Sequence, residues 1–116
     1  MSLMEVNKEG FDEAVKSDVP VFVKYWAEWC PSCIHMAPIV DKLAEKNKGI
    51  AFISVDVDKE PGLAQEANIA GIPAIIMYQN GAELGRIVGF TQEVALQVFI
   101  NKHFKPEVKP SEVKPE

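Results

Sequence analysis

The chain has 116 residues, 47% of them apolar, with a formal net charge of −5 at neutral pH. That length allows one domain with a single core and leaves no room for a second, and the acidic balance argues against nucleic acid as a ligand. No apolar run approaches the roughly eighteen residues of a membrane span, and no charged-then-apolar leader opens the chain, so a soluble, cytoplasmic protein with no membrane partner is expected.

In chain order, Leu3 to Val6 is a short apolar stretch suited to an edge strand, and Asn7 can cap a helix running to about Lys16. Phe11, Ala14 and Val15 form the expected buried stripe of that helix. After Asp18 and Pro20, Val21-Phe22-Val23-Lys24-Tyr25-Trp26 is a nearly continuous apolar strand of the kind buried on both faces, with Lys24 the exception. Pro31 suits the first position of the next helix, because its missing N–H would be unpaired there and its φ is already helical. Met36, Val40, Leu43 and Ala44 then recur at helical spacing. Pro38 removes the hydrogen bond to the Ile34 carbonyl and predicts a kink, and Gly49 is expected to stop the helix.

Ile50 to Val55 is a second buried strand, and Asp56 to Asp58 are expected to carry the chain into solvent. Pro61 starts a short helix through about Ala67. Ala74 to Tyr78 is a third apolar strand, and Asn80-Gly81 is a strong hairpin signal that pairs it, antiparallel, with Leu84 to Val88. Thr91 is expected to cap a last helix, with Glu93 in its first turn and Val94, Ala95, Val98 and Phe99 on its inner face. The order β-α-β-α-β-α-β-β-α predicts an α/β fold with helices on both faces of a sheet.

Residues 1–104 are the expected domain. Residues 105–116 differ in kind, because Glu107-Val108-Lys109-Pro110 recurs as Glu112-Val113-Lys114-Pro115. Their three lysines and three glutamates cancel, so the net charge belongs to the domain. A solvated tail of polyproline character is expected, or a segment that docks on a partner or a neighbouring copy.

The two cysteines of the chain, Cys30 and Cys33, lie three residues apart at the junction of strand and helix. Cys30 falls near the helix N-cap, where unpaired N–H groups and the positive end of the macrodipole favour a thiolate. A thiolate there can take a disulfide from a partner through a mixed disulfide, and Cys33, one turn deeper, can expel the product. Two other chemistries share the motif: a zinc site, for which the chain adds only His35 and His103, and a static structural disulfide. The surrounding strand–helix–strand pattern favours the redox reading and no metal. His35 reads as a solvated surface residue, His103 as a complement to the dipole of the last helix, and Glu28 as a surface carboxylate that is also the nearest candidate proton acceptor.

Taken together, Trp26-Ala27-Glu28-Trp29-Cys30-Pro31-Ser32-Cys33 after a buried strand, Pro38 five residues on, Gly71-Ile72-Pro73 before the next strand and Val88-Gly89 before the last helix resemble the thioredoxin family. The resemblance runs from about Leu3 to Phe104. It implies a three-layer α/β/α sandwich around a central mixed sheet of about five strands. It also implies a thiol–disulfide oxidoreductase, with Cys30 as nucleophile and Cys33 as resolving thiol, that reduces protein disulfides without a bound cofactor. A disulfide reductase would be its electron donor, and a monomer is expected. Pro73 would match the family's cis-proline, and Trp29, Ile72, Pro73 and Gly89 would form an apolar rim, with the Ile72 backbone offered to an extended substrate. The chain departs from the family pattern at four places. Pro31-Ser32 stands for the usual Gly-Pro, Lys24 for a buried aspartate, Ser54 for the lysine that accompanies it, and Ala74 for a threonine. Pro31, Ser32 and Lys24 are therefore expected to tune the redox poise. An oxidase or isomerase of an oxidising compartment, and a non-enzymatic binding module on the same fold, are the alternatives.

Overall fold

The computed structural model describes residues 3–104, and the tail expected at 105–116 lies outside them. The elements are β1 (Met4–Glu5), α1 (Lys8–Lys16), β2 (Val21–Trp26), α2 (Pro31–Lys46), β3 (Ala51–Asp56), α3 (Pro61–Glu66), β4 (Ala74–Gln79), β5 (Ala82–Val88) and α4 (Glu93–His103). The apolar run of β2, broken only by Lys24, cannot face water on either side, and it lies in the middle of a five-stranded sheet of order β1-β3-β2-β4-β5. β3 runs parallel to both β1 and β2, whereas β4 is antiparallel to β2 and β5.

Because successive strand residues point to opposite faces, β2 feeds two cores. Val21, Val23 and Tyr25 meet Phe11 and Val15 of α1 and Leu63 of α3 on one face. Phe22 on the other face meets Met36, Val40 and Leu43 of α2 and Leu96, Phe99 and Ile100 of α4. Each such side chain, fully buried, contributes about 1.5–3 kcal/mol. The result is the three-layer sandwich.

Local chemistry accounts for most of the element ends. Asn7 Oδ1 accepts the Gly10 N–H at 3.0 Å, which starts α1. Asn80 (φ 54°) and Gly81 (φ 80°) both take the left-handed conformation that a two-residue hairpin turn of matching twist requires. α2 continues through Pro38 as one helix.

Four local expectations are corrected. α2 is closed by Asn47 and not by Gly49: the Asn47 side-chain amide donates to the Leu43 carbonyl at 2.8 Å and its backbone N–H to the same oxygen at 2.9 Å. Asp56 does not lead into solvent; it is 2% exposed, and its carboxylate accepts the backbone N–H groups of Asp58 and Lys59 at 2.9 and 3.3 Å, so it builds the turn. Thr91 does not cap α4, since its hydroxyl donates to the Gly89 carbonyl at 3.0 Å and Gln92 takes the N-cap position. Finally, α4 buries Leu96, Phe99 and Ile100, while Val94 and Val98 are 75% and 60% exposed and Ala95 also faces outward. α4 is apolar around most of its girth, so periodicity could not choose a face; the larger leucine, isoleucine and phenylalanine side chains release more area from water.

Candidate active site

β2 ends at Trp26, the buried Ala27 follows, and the chain turns sharply enough for the Cys30 N–H to reach the Ala27 carbonyl at 3.2 Å. Cys30 is the N-cap of α2 and Pro31 its first residue. Cys30 and Cys33 are joined as a disulfide, with Cα atoms 5.2 Å apart. The Cys33 N–H points at Cys30 Sγ (3.2 Å), so an otherwise orphaned donor of the first helical turn is spent on sulfur. Exposure differs between the two: Cys30 is 3% exposed and Cys33 fully buried.

The loop before β4 closes over this sulfur. The Ile72–Pro73 peptide is cis, the Ile72 carbonyl oxygen lies 4.0 Å from Cys30 Sγ, and Ile72 packs against Ala27, Cys30 and Cys33. Pro73 is buried, and its carbonyl accepts the Gly89 N–H at 2.7 Å. Gly89 has φ of +99°, a conformation that strains any residue with a Cβ. These contacts bring Ile72, Pro73 and Gly89 together beside the disulfide. Trp29 is 66% exposed, so it does not belong to the core, and its indole N–H donates to Asp58 Oδ2 at 2.7 Å.

The residues around the pair are polar in unusual ways. Ser32 Oγ lies 3.7 Å from Cys30 Sγ; a disulfide sulfur carries no proton, so the hydroxyl is the donor. Lys24 is only 6% exposed, and its ammonium donates to the Cys33 carbonyl at 3.2 Å. The same group sits 5.7 Å from the centre of the Trp26 ring. It opens on a cavity of about 310 Å³ whose walls include Glu5, Ser54, Cys33, Ile34 and Asp41. Burial pulls the Lys24 pKa below its ordinary value, against a smaller upward pull from the Asp41 carboxylate. Ser54 faces Lys24 in the β2–β3 register and is itself buried.

Other candidates stand apart from the disulfide chemistry. His35 and Glu28 are exposed. His103 packs edge-on against Phe99, with ring centres 4.9 Å apart, and over Gly85, where a side chain would collide with the imidazole. No group of three or more His, Cys, Asp or Glu side chains among the described residues is placed to hold a metal ion. No helix among them is long and apolar enough to cross a membrane.

Several participants escaped sequence reasoning. Asp58 anchors Trp29 across 29 residues of chain, and nothing in a run of loop carboxylates marks which one does so. Met36 Sδ accepts the Thr91 N–H at 3.4 Å and so ties α2 to the Gly89 loop. Ile34, Val88 and Phe90 are 48%, 54% and 47% exposed, large apolar residues at the site's end of α2 and β5. A single exposed apolar residue carries no periodic signal, so only the fold could place them.

The family model described as Thioredoxin matches residues 2–102. A thioredoxin of Rickettsia felis is 35% identical over 91 residues, covering 78% of this chain and 87% of that protein. The chloroplastic M-type thioredoxin of Spinacia oleracea is 36% identical over 106 residues, covering 90% of this chain; the chain spans 59% of that relative's length. Among solved structures, Plasmodium falciparum thioredoxin superposes with a TM-score of 0.82 at 28% identity, covering 88% of this chain and all of that one (100%).

Proposed function

Since the chain belongs to the thioredoxin family and its Cys30–Cys33 pair makes it a thiol–disulfide oxidoreductase, we propose that it works as a reductase of protein disulfides. In the reduced protein the Cys30 thiolate attacks one sulfur of the substrate disulfide. The substrate S–S bond breaks, its second sulfur leaves as a thiolate and takes a proton from water, and Cys30 is joined to the substrate. Cys33 then attacks Cys30 Sγ as a thiolate; the Cys30–Cys33 bond forms and the substrate leaves with the electron pair. Two electrons pass to the substrate, and the chain is left as the disulfide described above. A disulfide reductase, acting as dithiol donor, restores the pair, and the two sulfurs carry the electrons with no bound cofactor.

The observation that carries this assignment of roles is the N-cap position of Cys30, with the Cys33 N–H on its sulfur. A thiolate at that place is met by a ready donor and by the positive end of the helix dipole. Trp29, Ile72, Pro73 and Gly89 act as the docking rim, and an extended substrate segment takes the Ile72 backbone as a strand would. Pro31, Ser32 and Lys24 set the redox poise. The catalytic unit is residues 1–104, working as a monomer in a reducing, cytoplasmic setting, on proteins and not on nucleic acid or membranes.

The test is trapping. Cys30→Ser should abolish disulfide reduction, whereas Cys33→Ser should still attack a protein disulfide and accumulate a mixed disulfide through Cys30, read by mass spectrometry. Trapping through Cys33 instead would reverse the assignment.

A further inference from the structure

We propose that Lys24 acts on the resolving half of the cycle, its ammonium holding Cys33 as the thiolate that breaks the mixed disulfide. This inference rests on the division of roles between Cys30 and Cys33 proposed above. Its basis is the position of the charge: Lys24 reaches the Cys33 carbonyl at 3.2 Å, and Cys33, not Cys30, shares its cavity. A buried lysine is costly to keep, and Lys24 forms no ion pair among the described residues. The groups that face it are few. Asp41 of α2 and Glu5 of β1 line the cavity, Ser54 faces it from β3, and the Trp26 ring lies within cation–π range on β2. The Asp41 carboxylate, an aromatic face and a carbonyl acceptor favour the charged form of the amine. Burial of the amine works against that form, with the Asp41 charge opposing the effect.

The consequence falls on one sulfur. In the mixed disulfide Cys30 Sγ is bonded to the substrate, and Cys33 is the thiol that must lose a proton. Once ionised it attacks Cys30 Sγ, the Cys30–Cys33 bond forms, the Cys30–substrate bond breaks, and the electron pair leaves on the substrate sulfur, which is protonated by water. A cation beside the Cys33 backbone lowers the cost of that ionisation. Resolution is then fast near neutrality, and the substrate is released before the mixed disulfide can be reversed.

The experiment titrates Cys33 alone. In the Cys30→Ser background, which leaves Cys33 as the chain's one thiol, thiolate absorbance is followed across pH with Lys24, Lys24→Met and Lys24→Arg. Lys24→Met should raise the Cys33 pKa by about one unit, a tenfold loss of thiolate near neutrality, and Lys24→Arg should keep it close to the parent. In the dithiol protein, single-turnover kinetics should show the resolving step about tenfold slower at neutral pH in Lys24→Met. That deficit should vanish at high pH. Coincident titrations of Lys24→Met and its parent overturn the proposal. So does Lys24→Arg behaving as Lys24→Met, since a guanidinium keeps the charge but cannot serve as a neutral proton carrier. Failure of Cys33→Ser to trap through Cys30 would instead overturn the roles of the two cysteines, so the two failures are distinguishable. Methionine removes a buried charge, so loss of the fold is not its expected effect, and circular dichroism verifies this.

Discussion

Cys30 is set by single atoms, and Ser32 is the one that this chain adds. Its hydroxyl stands 3.7 Å from Cys30 Sγ, beside the Cys33 N–H on the same sulfur. A donor to the charged form favours that form, so the role proposed for Ser32 is to favour a Cys30 thiolate and with it the reduced pair over the disulfide. Ser32→Ala should therefore raise the Cys30 pKa and move the equilibrium with a glutathione buffer toward the protein disulfide, on the order of threefold for a hydrogen bond of ordinary net strength. Thiolate absorbance and the redox titration measure the two effects, and no movement in either would remove Ser32 from the account. The cysteines themselves were legible because their spacing and their place before an apolar helix are sequence properties. Asp58 was not, because its bond to Trp29 exists only once β3 has brought the two loops together.

Among the elements, the end of α2 shows how a tertiary partner displaces a local rule. Glycine at 49 has the composition of a helix stop, yet Asn47 does the work. Its amide closes on the Leu43 carbonyl and exchanges two hydrogen bonds of 3.0 Å with the Gln97 amide of α4. Asn47→Ala should cost about 1–2 kcal/mol, seen as a lower urea midpoint with an unchanged slope, because one substitution breaks both the cap and the link between the helices. Gly49→Ala should change stability by less than about 0.5 kcal/mol, since the nearest heavy atom to an added Cβ is Phe104 Cζ at 4.0 Å. A large loss at Gly49 and none at Asn47 would restore the sequence-based expectation. The rotation of α4 has the same origin: with apolar residues on most sides, the helix takes the face that best fills the space against α2 and the sheet.

At the scale of the molecule, exposed charges join elements that the cores only pack. Glu93 of α4 accepts from Lys46 of α2 at 2.6 Å and lies 3.7 Å from Lys42. The Lys46 hydrogen bond leads in holding the Glu93 carboxyl below its ordinary 4.5, as the Arg86 hydrogen bond does for Glu83. A carboxyl whose pKa is depressed on folding contributes stability that is fully present above the unfolded value near 4.5 and is lost as pH falls through the folded value. Glu93→Gln should therefore lower the thermal midpoint at neutral pH and flatten its decline below about pH 4.5, and added salt should narrow the gap between variant and parent. An acid profile identical to the parent's would show that the α2–α4 ion pairs carry none of the pH dependence.

By itself the sequence determined the order of the elements, the burial of β2, the turn at Asn80-Gly81 and the chemistry of Cys30 and Cys33. Each of these rests on neighbours within a few residues: an apolar run, two residues that tolerate positive φ, or two thiols one turn apart. Only the tertiary structure decided which face α4 buries, why Asp56 is withdrawn from solvent, that Asn47 and not Gly49 ends α2, and that the Lys24 ammonium lies against Cys33. Those outcomes depend on groups far apart in the chain, whose energies of packing, desolvation and hydrogen bonding do not exist until the sheet has closed around them.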